Sequence, residues 1–383
     1  MSKKLYFDVR DVPSCARLGL SGRKIWIYFK TLVLSWASWS VFTYLGWLAA
    51  DPAGIGPVFE ASRLLPLPSG IFWASWQSVA LLVVGVVLIA VLMLSASLRT
   101  SRITFEQIRG DDFFSGRDAS AFARRHWRPV FAVPAALAAG LGIALACGLL
   151  LGLAGRIPAV GPVLLGLLAV PGWGASLLVV LAAVALLASV LLVPPIVACT
   201  KGDSFETVFE LFSSVTAQPW RLVLYGLTAV LTRALAALVF LVFSSAATGF
   251  LAFGTSLAGG GNPFSLLQGG LGFLAPSLVG AYSGIVDILG LAGSGAPSMP
   301  ALPSALMAAS GAAIALVLVS YWFSSCSSAW TVIYLAVRYR KDGEDLLARA
   351  DQEDLAEFER QYGQTCPSGD SSAGSSRAGG EEA

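Results

Sequence analysis

Arg233 is the only basic residue deep inside an apolar run of this chain, the stretch from Leu222 to Ser256. It lies about 18 Å of helix past Arg221. A cation at that depth is costly in lipid. It implies a cavity that admits an anionic group such as a lipid phosphate, or an Arg satisfied by backbone carbonyls and hydroxyls such as that of Thr232. A span that starts later than its apolar run would instead leave Arg233 near the interface. The second concentration of polar chemistry is the row Ser320, Tyr321, Ser324, Ser325, Cys326, Ser327 and Ser328. Such hydroxyls either line a polar path or bond one helix to the next. Arg233, Ser324, Ser325 and Ser328 are therefore the candidate contacts for a ligand or lipid.

Catalytic chemistry finds no comparable constellation. His126 is the single histidine, and zinc requires three or four ligands at suitable spacing. The cysteines, at 15, 147, 199, 326 and 366, are scattered and odd in number, with neither a disulfide framework nor a metal-ligand spacing. No phosphate-binding loop, nucleophile elbow or zinc-helix motif occurs. The expectation is a chain with no catalytic residue, no cofactor, no metal and no nucleic-acid partner.

The elements that must position these residues are membrane spans. The chain is 56% hydrophobic and 13% charged, and its mean hydropathy is +0.74. Soluble domains carry about a quarter charged residues, and one soluble core of this length could not hide so much apolar surface. A spanning helix needs roughly 20 apolar residues. Six segments meet that, at about 25–50, 71–97, 130–154, 175–199, 222–256 and 303–337. The expected fold is an all-α polytopic bundle of six spans arranged as three hairpins with amphipathic elbow helices. Residues 1–24 form a polar N-terminal segment, 25–341 the membrane domain, and 342–383 an acidic tail, disordered after about 366.

Charge gives the orientation. Of 25 Lys and Arg, only Arg63 and Arg156 fall in connections on one side, and Arg233 lies in a span. All the rest sit at or near the termini or in the connections at about 98–129 and 200–221. The positive-inside rule makes those regions and both termini cytoplasmic. The polar first residues and the long run after them read as an uncleaved anchor rather than a signal peptide.

Each ascending span opens on a basic-aromatic junction, with Trp26, Trp127, Arg128, Trp220 and Arg221 as interfacial anchors. Asp118 and Asp203 are placed to cap the elbow helices that precede the second and third junctions. In the third elbow, Phe205, Val208, Phe209, Phe212 and Val215 form one apolar face, expected to be buried against lipid or neighbouring spans. Glu206, Glu210 and Ser213 lie opposite, as a solvated face. The second elbow, Arg117 to Arg128, is basic and suited to headgroups. Ala144, Gly148 and Gly152 give the third span a small-residue packing face. Residues 157–171 and 263–292 read as short extracytoplasmic or re-entrant pieces, with Asp287 facing water outside or, if its segment re-enters, pairing with Arg233. An alternative in which both cross gives eight spans. Pro194-Pro195 predicts a kink near the end of the fourth span.

The stretch from Tyr334 through Arg338, Tyr339, Arg340 and Lys341 to Leu346 resembles the C-terminal signature of a family of bacterial six-helix proteins. That family is similar to the glycerophosphodiester phosphodiesterase membrane domain. Gly202 to Phe205, running into Pro219-Trp220-Arg221, is similar to its polar helix before a span. The resemblance implies a bacterial inner-membrane location and supplies no catalytic residues. The soluble phosphodiesterase domain of some relatives has no counterpart here. The expectation is a non-enzymatic membrane protein that organises or assists envelope processes, with membrane lipids and other membrane proteins as partners. A transporter or channel using Arg233 and the Ser-rich sixth span is the alternative. Oligomeric state is left open.

Overall fold

The computed structural model describes residues 5–62, 65–158, 160–257, 301–343 and 345–349, and contains only helices and connections among them. The helices are α1 (Ser14–Gly19), α2 (Gly22–Ala50), α3 (Ile55–Ser62), α4 (Trp76–Arg109), α5 (Gly116–Arg125), α6 (Trp127–Ala154), α7 (Val160–Thr200), α8 (Ser204–Ala217), α9 (Pro219–Leu257) and α10 (Ala301–Asp342). Among the described residues, six helices are long and apolar enough to cross a membrane: α2, α4, α6, Val163–Thr200 of α7, Pro219–Leu251 of α9 and Ala305–Asp342 of α10. The chain is an all-α, multi-pass membrane bundle.

α2 packs on α4, α6 on α7 and α9 on α10. α10 is the central element, touching α1, α2, α4, α7, α8 and α9. Contacts bring the basic connections to one end. Arg23 donates to the carbonyls of Asp112 and Phe114, tying the α4–α5 loop to the start of α2. Phe7 stacks on Tyr339 at 4.1 Å, so both described chain ends meet there. Gly110, with φ of 108°, lets α4 stop in a left-handed turn whose amides return to Glu106 O.

Burial differs between the two ends. Near the basic end, Leu98, Phe105 and Ile108 of α4 share a core with Val130 and Val133 of α6. Leu192 to Cys199 of α7, Leu211 of α8 and Tyr334 and Leu335 of α10 complete it. Toward the other end the helices turn apolar faces outward. Ile143 and Leu149 of α6, Val170 of α7 and Phe243 and Phe250 of α9 are all more than half exposed. Those surfaces suit lipid.

Several expectations are corrected. Residues 157–171 are not a separate piece: from Val160 they continue into α7, a single 41-residue helix about 62 Å long. Pro162 falls in its first turn, where a missing N–H costs little. The helix also runs through Pro171, Pro194 and Pro195. Among the described residues the small-residue face of α6 has no partner, since a Cβ at Gly148 or Gly152 would meet nothing within 4 Å. α5 begins earlier than expected, capped by Ser115, whose Oγ accepts from Asp118 N at 3.2 Å. Asp203 stands at the N-cap of α8, but its side chain makes no cap bond. The segment 263–292, Asp287 and the tail beyond Arg349 lie outside the described residues, apart from which Leu346 joins the core.

Candidate functional site

The N-terminal segment, expected only to be polar, folds back along α9 and α10. A 3-10 turn at Val9–Asp11 is capped by Asp8, which accepts from Val9 N at 2.8 Å. That bond, with the nearby Arg340 guanidinium, holds the Asp8 carboxyl below its usual range. Val12 and Cys15 then pack against Tyr225, Ala229, Ala329 and Ile333. α1 approaches α10 closely enough to require glycine: a Cβ on Gly19 would lie 2.6 Å from Ser325 Cα. Burial pushes the Cys15 thiol up to about 11, against the opposing pull of Arg233.

The hydroxyl row of α10 is spent on this packing. Tyr321 Oη donates to Ala16 O at 3.3 Å and Ser324 Oγ to Gly19 O at 2.7 Å. Ser325 Oγ bonds its own helix at Trp322 O, 3.0 Å. Ser327 Oγ meets Thr100 Oγ1 at 2.7 Å and Ser101 Oγ at 3.1 Å, joining α10 to α4. Ser324, Ser325 and Ser328 are fully buried. They act as bonds between and within helices, the commoner use of membrane hydroxyls.

At the centre of this seam lies a residue that sequence reasoning missed. Lys24 is completely buried and donates to Leu18 O (2.9 Å), Thr104 Oγ1 (2.8 Å) and Ser328 Oγ (3.2 Å). Each hydroxyl gives its own proton to its helix, Thr104 to Thr100 O and Ser328 to Ser324 O. Both therefore turn a lone pair toward the ammonium, whose three hydrogens are all accepted. Lys24 thus fastens α1, α2, α4 and α10 at one point. The available signal was its helical register with Ile27, Tyr28 and Thr31, all buried on one face of α2.

Arg233 points into the bundle and is 5% exposed. Its guanidinium lies over the Trp322 ring, 4.3 Å from the centroid. Such a contact is worth about 2 kcal/mol when desolvated. Among the described residues its Nε has no hydrogen-bond partner. Trp322 is six residues from Ser328, so Arg233 lies about 9 Å along α10 from the Lys24 level.

Two buried carboxylates each hold two cations. Glu106 meets Arg102 at 2.5 Å and Arg109 at 2.9 Å, and Arg102 also donates to Ala198 O at 2.8 Å, clamping α4 to α7. Glu210 meets Arg338, with Lys341 Nζ 3.3 Å from its other oxygen and Ser214 Oγ donating to it. Glu210 is only 6% exposed, while Phe205 and Phe209 are 85% and 68% exposed. The solvated acidic face expected for Glu210 is therefore wrong. α8 turns that side to the bundle, because α10 supplies cations to it, and leaves Phe205 and Phe209 outward, while Val208 and Val215 of the expected apolar face pack in the core.

The interfacial anchors behave differently from these. Trp26, Trp127 and Trp220 are each more than half exposed. Arg221 lies over Trp220 at 5.0 Å, and Arg128 is exposed. His126 stacks on Phe122 at 4.3 Å. Among the described residues no group of three or more His, Cys, Asp or Glu could hold a metal. Compared with family models, curated proteins and solved structures, the chain matches none.

Proposed function

We propose that this chain is a non-enzymatic multi-pass protein of a bacterial plasma membrane, with both termini cytoplasmic. Its role is to organise or assist envelope processes through contacts with lipids and other membrane proteins. The observation that carries this reading is the fate of the α10 hydroxyls. Ser324, Ser327 and Ser328 are buried and bonded to neighbouring helices, as a static scaffold requires. The apolar outer faces of α6, α7 and α9 offer surface for lipid or partner helices. The orientation rests on the basic connections and the location on the family resemblance. Identification of lipids and proteins retained after mild extraction tests the role. Reproducible retention of particular species is expected, and bare detergent micelles would contradict it.

One observation favours transport instead: Arg233 is buried without a carboxylate among the described residues. Arg233→Leu separates the two. A scaffold loses the Trp322 contact and some stability, and keeps its bound lipids in proportion to the surviving protein. A transporter keeps its fold and loses uptake.

A further inference from the structure

Some cations of the basic end are held inside the protein: Arg102 and Arg109 by Glu106, Arg338 and Lys341 by Glu210, and Arg99 by Ser95 of its own helix. Others, such as Arg10, Arg17 and Lys201, are exposed. Arg340 lies 3.7 Å from Asp8, and Arg23 is taken by loop carbonyls. The elbow between α5 and α6 is different. Arg124 and Arg125 close α5, His126 makes the bend, and Trp127 and Arg128 open α6. All three arginines are exposed. Among the described residues none of them makes an ion pair or hydrogen bond. Two of the acids close to them in sequence accept local hydrogen bonds. Asp118 accepts from Ser115 Oγ at 2.6 Å, and Asp111 accepts from Phe113 N at 2.9 Å.

Two further features suit an anion at this place. Trp127 is 51% exposed beside the arginines, an arrangement suited to the headgroup level of a bilayer. His126 donates no cap to α6, and its Nδ1 pairs with Phe122 O at 3.2 Å instead. The 28-residue α6 therefore presents its positive end to the same corner without a side-chain cap.

We propose that the α5–α6 elbow is a headgroup site for anionic phospholipid, with Arg124, Arg125 and Arg128 holding the phosphate and Trp127 seating the glycerol level. The site rests on the lipid-contact role proposed above and gives it a lipid class. The elbow between α8 and α9 lacks these properties, because Glu206 is exposed there and Arg221 is engaged by Gln218 and Trp220.

The test uses the full chain in nanodiscs of phosphatidylcholine mixed with phosphatidylglycerol, with protein-bound lipid read by native mass spectrometry. Wild type should enrich phosphatidylglycerol. The Arg124→Gln/Arg125→Gln/Arg128→Gln variant should lose that enrichment by on the order of 100-fold, at about 5-fold per arginine. Arg221→Gln should keep it, and added salt should weaken it in wild type. Each variant's thermal midpoint is read in parallel, and single Arg→Gln variants replace the triple if it fails to fold. Undiminished enrichment in the triple variant, or equal loss in Arg221→Gln, overturns the site and leaves the general lipid-contact reading standing. Absence of any enriched lipid or protein from wild type overturns both.

Discussion

The two elbow helices, α5 and α8, hold equivalent places in the chain, each leading from a descending span into an ascending one. They present different faces to the bundle. α5 buries Ala119 and Ala123 and leaves its arginines outside. α8 buries Thr207, Glu210, Leu211, Ser214 and Val215 and leaves Phe205 and Phe209 outside. The difference lies in what the bundle offers each helix. α10 brings Arg338 and Lys341 to the carboxylate of α8. Next to α5, Arg102 is already paired to Glu106 and lies 4.7 Å over the Phe122 ring. In a membrane protein, then, an amphipathic period defines two faces without saying which one turns inward, since lipid accepts an apolar face as readily as a core does.

The contrast is most exposed to failure at the acids. Glu210→Gln removes the buried carboxylate and leaves Asp342 still paired to Arg338 at 3.0 Å and to Lys341 at 3.4 Å, and should cost about 1.5–3 kcal/mol. Asp118→Asn, at the exposed start of α5, should cost under about 1 kcal/mol. Thermal unfolding in one detergent compares them, and equal losses would break the distinction.

A smaller effect is expected where the phenylalanines meet lipid. Phe209→Asp should leave unfolding in detergent almost unchanged, because the ring faces away from the protein. It should nonetheless disfavour the membrane-embedded state by about 1–2 kcal/mol. Reduced abundance in membranes with a normal midpoint in detergent supports the outward face. A large drop of the midpoint would place Phe209 against protein.

A pH control separates elbow behaviour from the docking of α1. The Cys15 thiol is raised in the folded state by burial, from 9.0 to about 11. Its contribution is fully present below pH 9 and is lost as pH rises toward 11, when the unfolded thiol ionises first. The loss should be the same in Glu210→Gln, Asp118→Asn and wild type, and should be smaller in Cys15→Ser. A loss of undiminished size in Cys15→Ser would assign the alkaline step elsewhere.

Much of the architecture was legible because lipid imposes a simple length requirement. The six apolar runs and the confinement of Lys and Arg to alternate connections correspond to six helices whose basic connections meet at one end. What was missed at Glu210 and Lys24 has one cause: interactions between residues far apart in sequence. Glu210 was read as solvated because its partners lie over a hundred positions later, on α10. Lys24 was passed over as one more basic residue at a span's start, although its stripe-mates Ile27, Tyr28 and Thr31 were readable. The cluster of Arg102, Glu106 and Arg109 was not singled out, although it follows helical spacing. Residues 157–171 were read as a separate piece, and from Val160 they belong to one continuous helix.

Power-saturation measurements on spin labels at two positions test these different faces most directly. The labels are attached at Phe209→Cys and Arg124→Cys, in a background with the native cysteines replaced, and read in lipid bilayers. The label on α8 should collide freely with oxygen and be shielded from a water-soluble nickel complex, as an apolar face in lipid requires. The label on α5 should show the opposite preference, in water or among headgroups. Nickel access at position 209, or burial of both labels from both reagents, would contradict the account.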